Sequence, residues 1–326
     1  SRCVSIGCSI IQIVASRLQG RRMHMQRTRV AVVGLGNVGR GAAEAIAASP
    51  EFELAGIVRR QAEPGARAAG QNWEAPAVTR IDELGEVHAA LMCGPTRELE
   101  PMEHVLLRSG ISVVDTFDIH GDPLWNHKQS LAASAVEGQA AAVIAAGWDP
   151  GVDSVIRALL ETIAPAGITY TNFGPGMSMG HSVAVRAIPG VADAVSITLP
   201  AGYGRHRRSV YVQLDGSRPF VDVASDIRRD PYFVHDETDV FEVDCVSRLA
   251  DPGHGVVIDR KGASGRTGNQ LLRWEMRITN PAVTGQIMVG ALRAGLKKTP
   301  GAYTMIELAV ADMLPGTLED LVKRIV

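Results

Sequence analysis

Beyond its first two dozen residues the chain alternates short apolar runs with stretches whose apolar positions recur at helical spacing. "VAVVG" (30–34), "ELAGIV" (53–58), "HAALMC" (88–93), "ISVVD" (111–115) and "AAVIAAG" (141–147) are largely apolar runs of strand length. Between them, residues 37–48, "PMEHVLLRSG" and "WNHKQSLAASAVEG" carry the helical period. Strands apolar on both faces and separated by helices predict a parallel sheet covered on both sides, a Rossmann-like doubly wound α/β domain. "WDPGVDSVIRALLE" predicts one more helix. Asp149 is placed to cap it, and Pro150 falls in the first turn, where a missing N–H costs nothing.

After that helix the texture changes. From about Gly167 to Ile278 the strands lie closer together and alternate, as in "ADAVSITLP", "RRSVYVQL", "GHGVVIDRKG" and "LLRWEMRI", with a helix expected near "PFVDVASDIRRD". They predict an open mixed or antiparallel sheet in a second, α+β domain. A helix over "AVTGQIMVGALRAGLKK" and another over "LEDLVKRIV" close the chain, with small residues suited to close packing. The expected division is residues 25–147 plus about 296–326 for the first domain and 148–295 for the second. Residues 1–24 mix a short apolar run with Arg17, Arg21 and Arg22; a targeting segment or an upstream extension both fit, and we read them as an extension outside the fold.

Length and composition agree with two domains: 326 residues, 46% of them hydrophobic, and a net charge of −2. No basic block interleaves with aromatic residues, which argues against a nucleic-acid partner. No apolar run reaches eighteen residues, which argues against a membrane-spanning helix. Cys3, Cys8, Cys93 and Cys245 form no CxxC pair and are too few for a disulfide scaffold, which fits a reducing, cytoplasmic setting. The histidines form no HExxH, and no GxSxG elbow follows an expected strand, so metal-dependent and serine-hydrolase chemistry are not indicated.

Gly34, Gly36 and Gly39 form G-x-G-x-x-G directly after a strand and at the mouth of a helix, the setting in which the motif cradles a pyrophosphate. Asn37 and Val38 lie within it, so their N–H groups face the phosphates at the helix N-terminus. An NAD-specific unit places an acid at the end of the second strand, for the ribose 2′-hydroxyl. This chain has Arg59 and Arg60 there, and guanidinium groups suit a 2′-phosphate in charge and geometry. NADP(H) is therefore the expected cofactor, against the alternative of two solvated arginines.

In open parallel sheets the ligand crevice lies beyond the carboxyl ends of the strands. "CGPTRE", with Cys93, Gly94, Pro95 and Thr96, borders the expected dinucleotide; "DTFDIHGD" and "GWDPG" follow two other strands. Asp118 and Asp149 are the carboxylates placed to hold a substrate ammonium, against a turn role for Asp118 and a capping role for Asp149. The cluster Arg205, His206, Arg207 and Arg208 is either a solvated face or a carboxylate grip. His181 and its methionine neighbours lie in a glycine-rich segment that either shapes a pocket or is structural.

"VVGLGNVGR", "DTFDIHGD", "AGWDPGVDS", "TNFGPGMSMGHS", "AIPGV" and "ITLP", read in order, resemble the meso-diaminopimelate dehydrogenase family from Arg29 to the C-terminus. The resemblance implies a homodimer with dinucleotide, dimerisation and substrate regions. It implies NADP-dependent oxidative deamination at the D-centre of meso-2,6-diaminopimelate, giving L-2-amino-6-oxopimelate and ammonia, reversibly. By the same resemblance Asp118 and Asp149 flank the reacting centre and Trp148 lines the pocket. Phe173, Met179 and His181 surround the substrate, while Thr198, Arg208, His254 and Asn280 hold its distal end. The short segment after "ITLPAGYGRHRRS" is similar to the family's compact subgroup, which implies that other D-amino acids are accepted. Competing readings are an NADP-dependent sugar or semialdehyde dehydrogenase, although Gly94-Pro95 stands where sugar enzymes carry lysine-proline, and an NADP(H) sensor without turnover.

Overall fold

The computed structural model describes residues 27–249 and 253–326, so the expectation for residues 1–24 lies outside the described residues. The first sheet is built from β1 (Thr28–Val33), β2 (Phe52–Val58), β3 (Arg67–Ala69), β4 (Glu74–Val78), β5 (Ala89–Met92), β6 (Ser112–Asp115), β7 (Ala141–Ile144) and, from the end of the chain, β15 (Gly301–Thr304). Their order is β15-β7-β6-β5-β1-β2-β4-β3. Neighbours run parallel apart from the antiparallel β3–β4 pair, which the sequence pattern did not predict.

Side chains of β1 alternate between two cores. Val30 and Val32 face one, with Leu91, Ile46 and Phe52, under helices α1 (Asn37–Ala47) and α7 (Asn280–Gly295). Ala31 and Val33 face the other, with Met92, Leu107 and Leu131, under α2 (Thr96–Arg108) and α3 (Asp122–Glu137). Burial on both faces is why these strands read as continuous apolar runs.

Helix α7 lies close against α1 because both present glycine. A Cβ on Gly285 would sit 2.4 Å from the Ala42 amide nitrogen, and one on Gly41 would sit 2.7 Å from the Pro281 carbonyl. Met288, Val289 and Leu292 are buried there, each side chain contributing about 1.5–3 kcal/mol. The chain thus returns to the first layer at α7, one helix before the expected position of about 296. Strand β15 then pairs with β7, and α8 (Val310–Met313) and α9 (Leu318–Ile325) end the chain.

Between them lie α4 (Val152–Ile163), β8 (Ala166–Phe173), β9 (Gly176–Met177), α5 (Met179–Arg186), β10 (Val191–Gly202), β11 (Arg205–Leu214), α6 (Phe220–Arg229), β12 (Glu237–Glu242), β13 (His254–Ser264) and β14 (Thr267–Ile278). The strands form two sheets, not one: β12-β11-β10-β9, which is mixed, and β14-β13-β8, which is antiparallel. Strand β8, whose first three residues are exposed, pairs with β13 along its whole length and forms one edge of the three-stranded sheet. Val210, Val212, Val223, Ile227 and Phe233 make the core of the four-stranded sheet.

Candidate active site

The phosphate turn has the geometry its glycines require. Gly34 has φ +93°, and its Cβ would meet the Cys93 carbonyl at 3.0 Å. A Cβ on Gly39 would lie 2.1 Å from the Gly34 carbonyl oxygen, so helix and strand touch there. Gly36 differs: it has an ordinary φ of −76°, and no atom of the described residues lies within 4 Å of where its Cβ would be. Among the described residues nothing demands glycine at 36, and the motif's middle glycine is the position at which a dinucleotide fold leaves room for a pyrophosphate. Asn37 and Val38 open α1 behind it.

Around this turn, Cys93, Gly94 and Pro95 lead from β5 to Thr96 at the start of α2. Cys93 Sγ lies 3.7 Å from Met288 Sδ, and burial pushes its thiol up to about 12, so it packs as a neutral group. Arg59 and Arg60 stand exposed just past β2, with Arg60 paired to Glu98 of the first turn of α2.

The second part of the site is a cavity of about 300 Å³ where the two smaller sheets meet. The turn between β8 and β9 joins them. Gly174 N–H donates to the Gly255 carbonyl at 2.7 Å and Met177 N–H to the Gly253 carbonyl at 2.9 Å, while Gly176 pairs with Thr198 of β10. With φ +101° and a Cβ position 2.2 Å from the Thr198 carbonyl, residue 174 has to be glycine.

Trp148, Phe173, His181, Thr198, Arg208, His254 and Asn280 all line this cavity. They are seven of the eight substrate residues implied by the family resemblance; the side chain of the eighth, Met179, lies outside the described residues. One wall is aromatic, with Trp148 edge-on to Phe173 (5.9 Å) and to His254 (6.1 Å). Arg208 is buried; its Nε donates to Asp236 at 2.7 Å and its Nη1 to Thr198 Oγ1. His181 Nδ1 lies 2.7 Å from Ser178 Oγ, and burial together with the Arg208 charge holds this imidazole below its ordinary pKa.

His206 is a lining residue that the sequence reading left within a basic cluster. Its Nε2 accepts the Phe173 N–H at 2.9 Å, and burial and Arg208 again favour the neutral ring, which places its proton on Nδ1. The period of two along β11 was the available signal. It puts His206 and Arg208 on one face, with Arg207 on the other, paired to Asp239.

The two candidate carboxylates are not lining residues of the cavity. Asp118 is exposed in the loop after β6. Asp149 is mostly buried in the 147–151 turn beside Trp148, with Oδ1 accepting from Arg157 Nη2 at 2.9 Å and Oδ2 lying 3.7 Å from His120 Nε2. The His120 contact brings the two loops together at the carboxyl edge of the sheet. The expected cap is not formed: α4 begins at Val152 with Gly151 as its N-cap, Pro150 precedes the helix, and the Asp153 amide donates to the Trp148 carbonyl at 2.9 Å. Backbone satisfies the helix amide, which leaves the Asp149 carboxylate to Arg157. Below it the fully buried Asp153, unforeseen from sequence, is pushed up to about 7 by burial and by the Asp149 charge.

A Rossmann sheet with a phosphate turn, joined to a separate cavity of fixed cationic, hydroxyl and aromatic groups, defines an NAD(P)-binding oxidoreductase. The family described as "Oxidoreductase family, NAD-binding Rossmann fold" matches residues 28–115, and "Diaminopimelic acid dehydrogenase C-terminal domain" matches residues 147–280. The meso-diaminopimelate D-dehydrogenase of Bacteroides fragilis is 49% identical over 302 residues, covering 93% of this chain and all of that protein. The chain belongs to the meso-diaminopimelate D-dehydrogenase family and is an oxidoreductase acting on a CH–NH2 donor. Among solved structures, Corynebacterium glutamicum DAP dehydrogenase in complex with DAP is 28% identical, with a TM-score of 0.78 over 92% of this chain and 99% of that one. An engineered D-amino acid dehydrogenase bound to NADP+ is 27% identical, with a TM-score of 0.73 over 92% of this chain and all of that one.

Proposed function

We propose that the chain catalyses NADP-dependent oxidative deamination of meso-2,6-diaminopimelate at its D-centre, reversibly, and accepts other D-amino acids. The observation that carries this reading is the cavity itself: Arg208, Thr198 and Asn280 converge on a pocket closed by Trp148 and Phe173. It suits a molecule with a carboxylate and an amine at its far end. NADP+ suits the open turn at Gly36 and the exposed arginines past β2, and when bound it supplies the hydride acceptor.

In this reading Gly34, Gly36, Asn37, Val38 and Gly39 hold the pyrophosphate, Arg59 and Arg60 the 2′-phosphate, and residues 93–96 the nicotinamide side. Arg60 must leave Glu98 to do so; exposed pairs are worth no more than about 1 kcal/mol, so the exchange costs little. Arg208, Thr198, His254 and Asn280 grip the distal end, while Phe173, Met179 and His181 border the chain of methylenes.

Asp118 and Asp149 receive the D-ammonium. The amine must be neutral when hydride leaves Cα, and a nearby carboxylate orients it and takes the proton, directly or through a water. The Cα–H electron pair departs, the nitrogen lone pair forms C=N, and water adds to that carbon to release ammonia and the 2-oxo acid. The enzyme acts as a homodimer in this account, for which exposed Leu271 and Trp274 on β14 offer apolar surface.

The test is the absorbance at 340 nm with NADP+ or NAD+ and meso-, LL- or DD-diaminopimelate or simple D-amino acids. The proposal expects NADP+ reduction with meso-diaminopimelate and none with the LL isomer. Equal rates with the LL isomer, or no amino-acid-dependent reduction, overturn it.

A further inference from the structure

We propose that Asp115, held by His127, is a positioning residue that sets the two loops carrying Asp118 and Asp149 in register; this rests on the proposed role of those two carboxylates. Asp115 ends β6 and is 2% exposed. Its Oδ1 accepts two backbone N–H groups from different loops: that of Phe117 at 2.8 Å and that of Ala145 at 2.7 Å. Phe117 directly precedes Asp118. Ala145 follows β7, four residues before Asp149.

Ala145 also has φ +54°, a left-handed conformation that disfavours an alanine. Such a residue persists only where its surroundings fix it. Here a carboxylate oxygen takes its N–H, and the Asp115 carbonyl takes the N–H of Ala146 at 2.8 Å. One buried residue thus bends the start of the 147–151 turn and the start of the 116–121 loop toward each other. The approach of His120 to Asp149, 3.7 Å, lies where the two loops meet.

The other oxygen of Asp115 lies 2.9 Å from Nε2 of buried His127 on α3, and the His127 ring stacks on Phe117 with centroids 4.5 Å apart and planes at 15°. The loop is therefore held at residue 117 by both backbone and ring. The ligand atoms of Glu103, Asp115 and His127 lie within 4.8 Å of one another. Both Asp115 oxygens nevertheless have N–H partners, so the cluster is built as a hydrogen-bond node.

The experiment compares wild type, Asp115→Asn, His127→Leu and His127→Gln. It measures kcat with meso-diaminopimelate, NADPH affinity by fluorescence, and amide exchange at Phe117 and Ala145. Asp115→Asn keeps the shape but weakens three charge-assisted bonds. We expect kcat to fall about 10- to 100-fold, the range set by about 1.4 kcal/mol per tenfold, with NADPH affinity within twofold and faster exchange at both amides. His127→Gln, which retains an N–H for Asp115, should recover at least fivefold of the kcat lost in His127→Leu, and this pair decides the matter if Asp115→Asn does not fold.

Combined with Asp149→Asn, the Asp115→Asn loss should be strongly sub-additive. A folded Asp115→Asn with kcat within twofold of wild type, a parallel loss of NADPH affinity, or an additive double variant overturns the proposal. If Asp118→Asn and Asp149→Asn are themselves fully active, the catalytic reading fails instead, while amide exchange still reports the loop geometry.

Discussion

Replacing Gly36 or Gly39 by alanine adds the same methyl group three residues apart in one turn, and the structure assigns the two changes opposite consequences. At Gly36 the methyl meets no atom of the described residues within 4 Å, and φ of −76° suits alanine. Gly36 is the N-cap of α1, where alanine is poorer than glycine, but alanine also reduces the freedom of the unfolded chain by about 0.4–1 kcal/mol. These terms oppose each other, so stability should change by no more than about 1 kcal/mol. A pyrophosphate drawn against the turn meets that methyl and loses at least one N–H bond to charged oxygen, about 1.5–3 kcal/mol, which weakens binding roughly 10- to 150-fold. At Gly39 the methyl would lie 2.1 Å from the Gly34 carbonyl, a backbone atom, so helix and strand must separate at an overpacking cost of about 1–3 kcal/mol. Thermal unfolding of the cofactor-free variants and NADPH titration by fluorescence separate the two. Gly36→Ala should unfold near wild type and bind poorly, whereas Gly39→Ala should unfold several degrees lower. Wild-type NADPH affinity in Gly36→Ala refutes the reasoning.

Arg59→Ala with Arg60→Ala should lower kcat/KM for NADP+ at least tenfold and leave the NAD+ value nearly unchanged; an NAD+ preference in the wild type contradicts the cofactor assignment. Arg208→Ala should raise KM for meso-diaminopimelate far more than it lowers kcat, measured in steady-state assays across substrate concentration. Burial, then the Asp115 and Glu100 charges, push Glu103 from an ordinary value of 4.5 up to about 9. The folded chain therefore holds a proton that the unfolded chain releases. The resulting stability is fully present below about pH 4.5 and lost as pH rises toward 9. Glu103→Gln, which cannot ionise, should show a smaller drop in Tm between pH 5 and pH 8.5 than wild type, and an unchanged drop would show that Glu103 does not titrate there.

Much of this was legible because chain pattern and local chemistry coincide. Val30 to Val33 are apolar on both faces, which only a covered parallel sheet explains, and the glycines at 34, 36 and 39 sit where strand gives way to helix. The cavity residues were reached through motif resemblance, since Thr198 and Asn280 have no chemistry that marks them in isolation. The capping alternative for Asp149 stood open in the sequence because a carboxylate before a proline looks the same whether it faces helix amides or a guanidinium eight residues on. Strand β8 was missed because its exposed positions give no clear alternation, and the division into two sheets depended on that strand. Asp115 and Asp153 carried no visible signal: each is one acid beside an apolar run, and its role lies in partners or burial that only folding creates.

The most direct test of the central claim is a crystal structure of the chain with NADP+ and meso-diaminopimelate. The account predicts the D-centre next to the nicotinamide C4, its ammonium within hydrogen-bond reach of Asp118 or Asp149, and the distal carboxylate on Arg208. A complex with the L-centre at the nicotinamide, or with both carboxylates turned away from the amine, contradicts it.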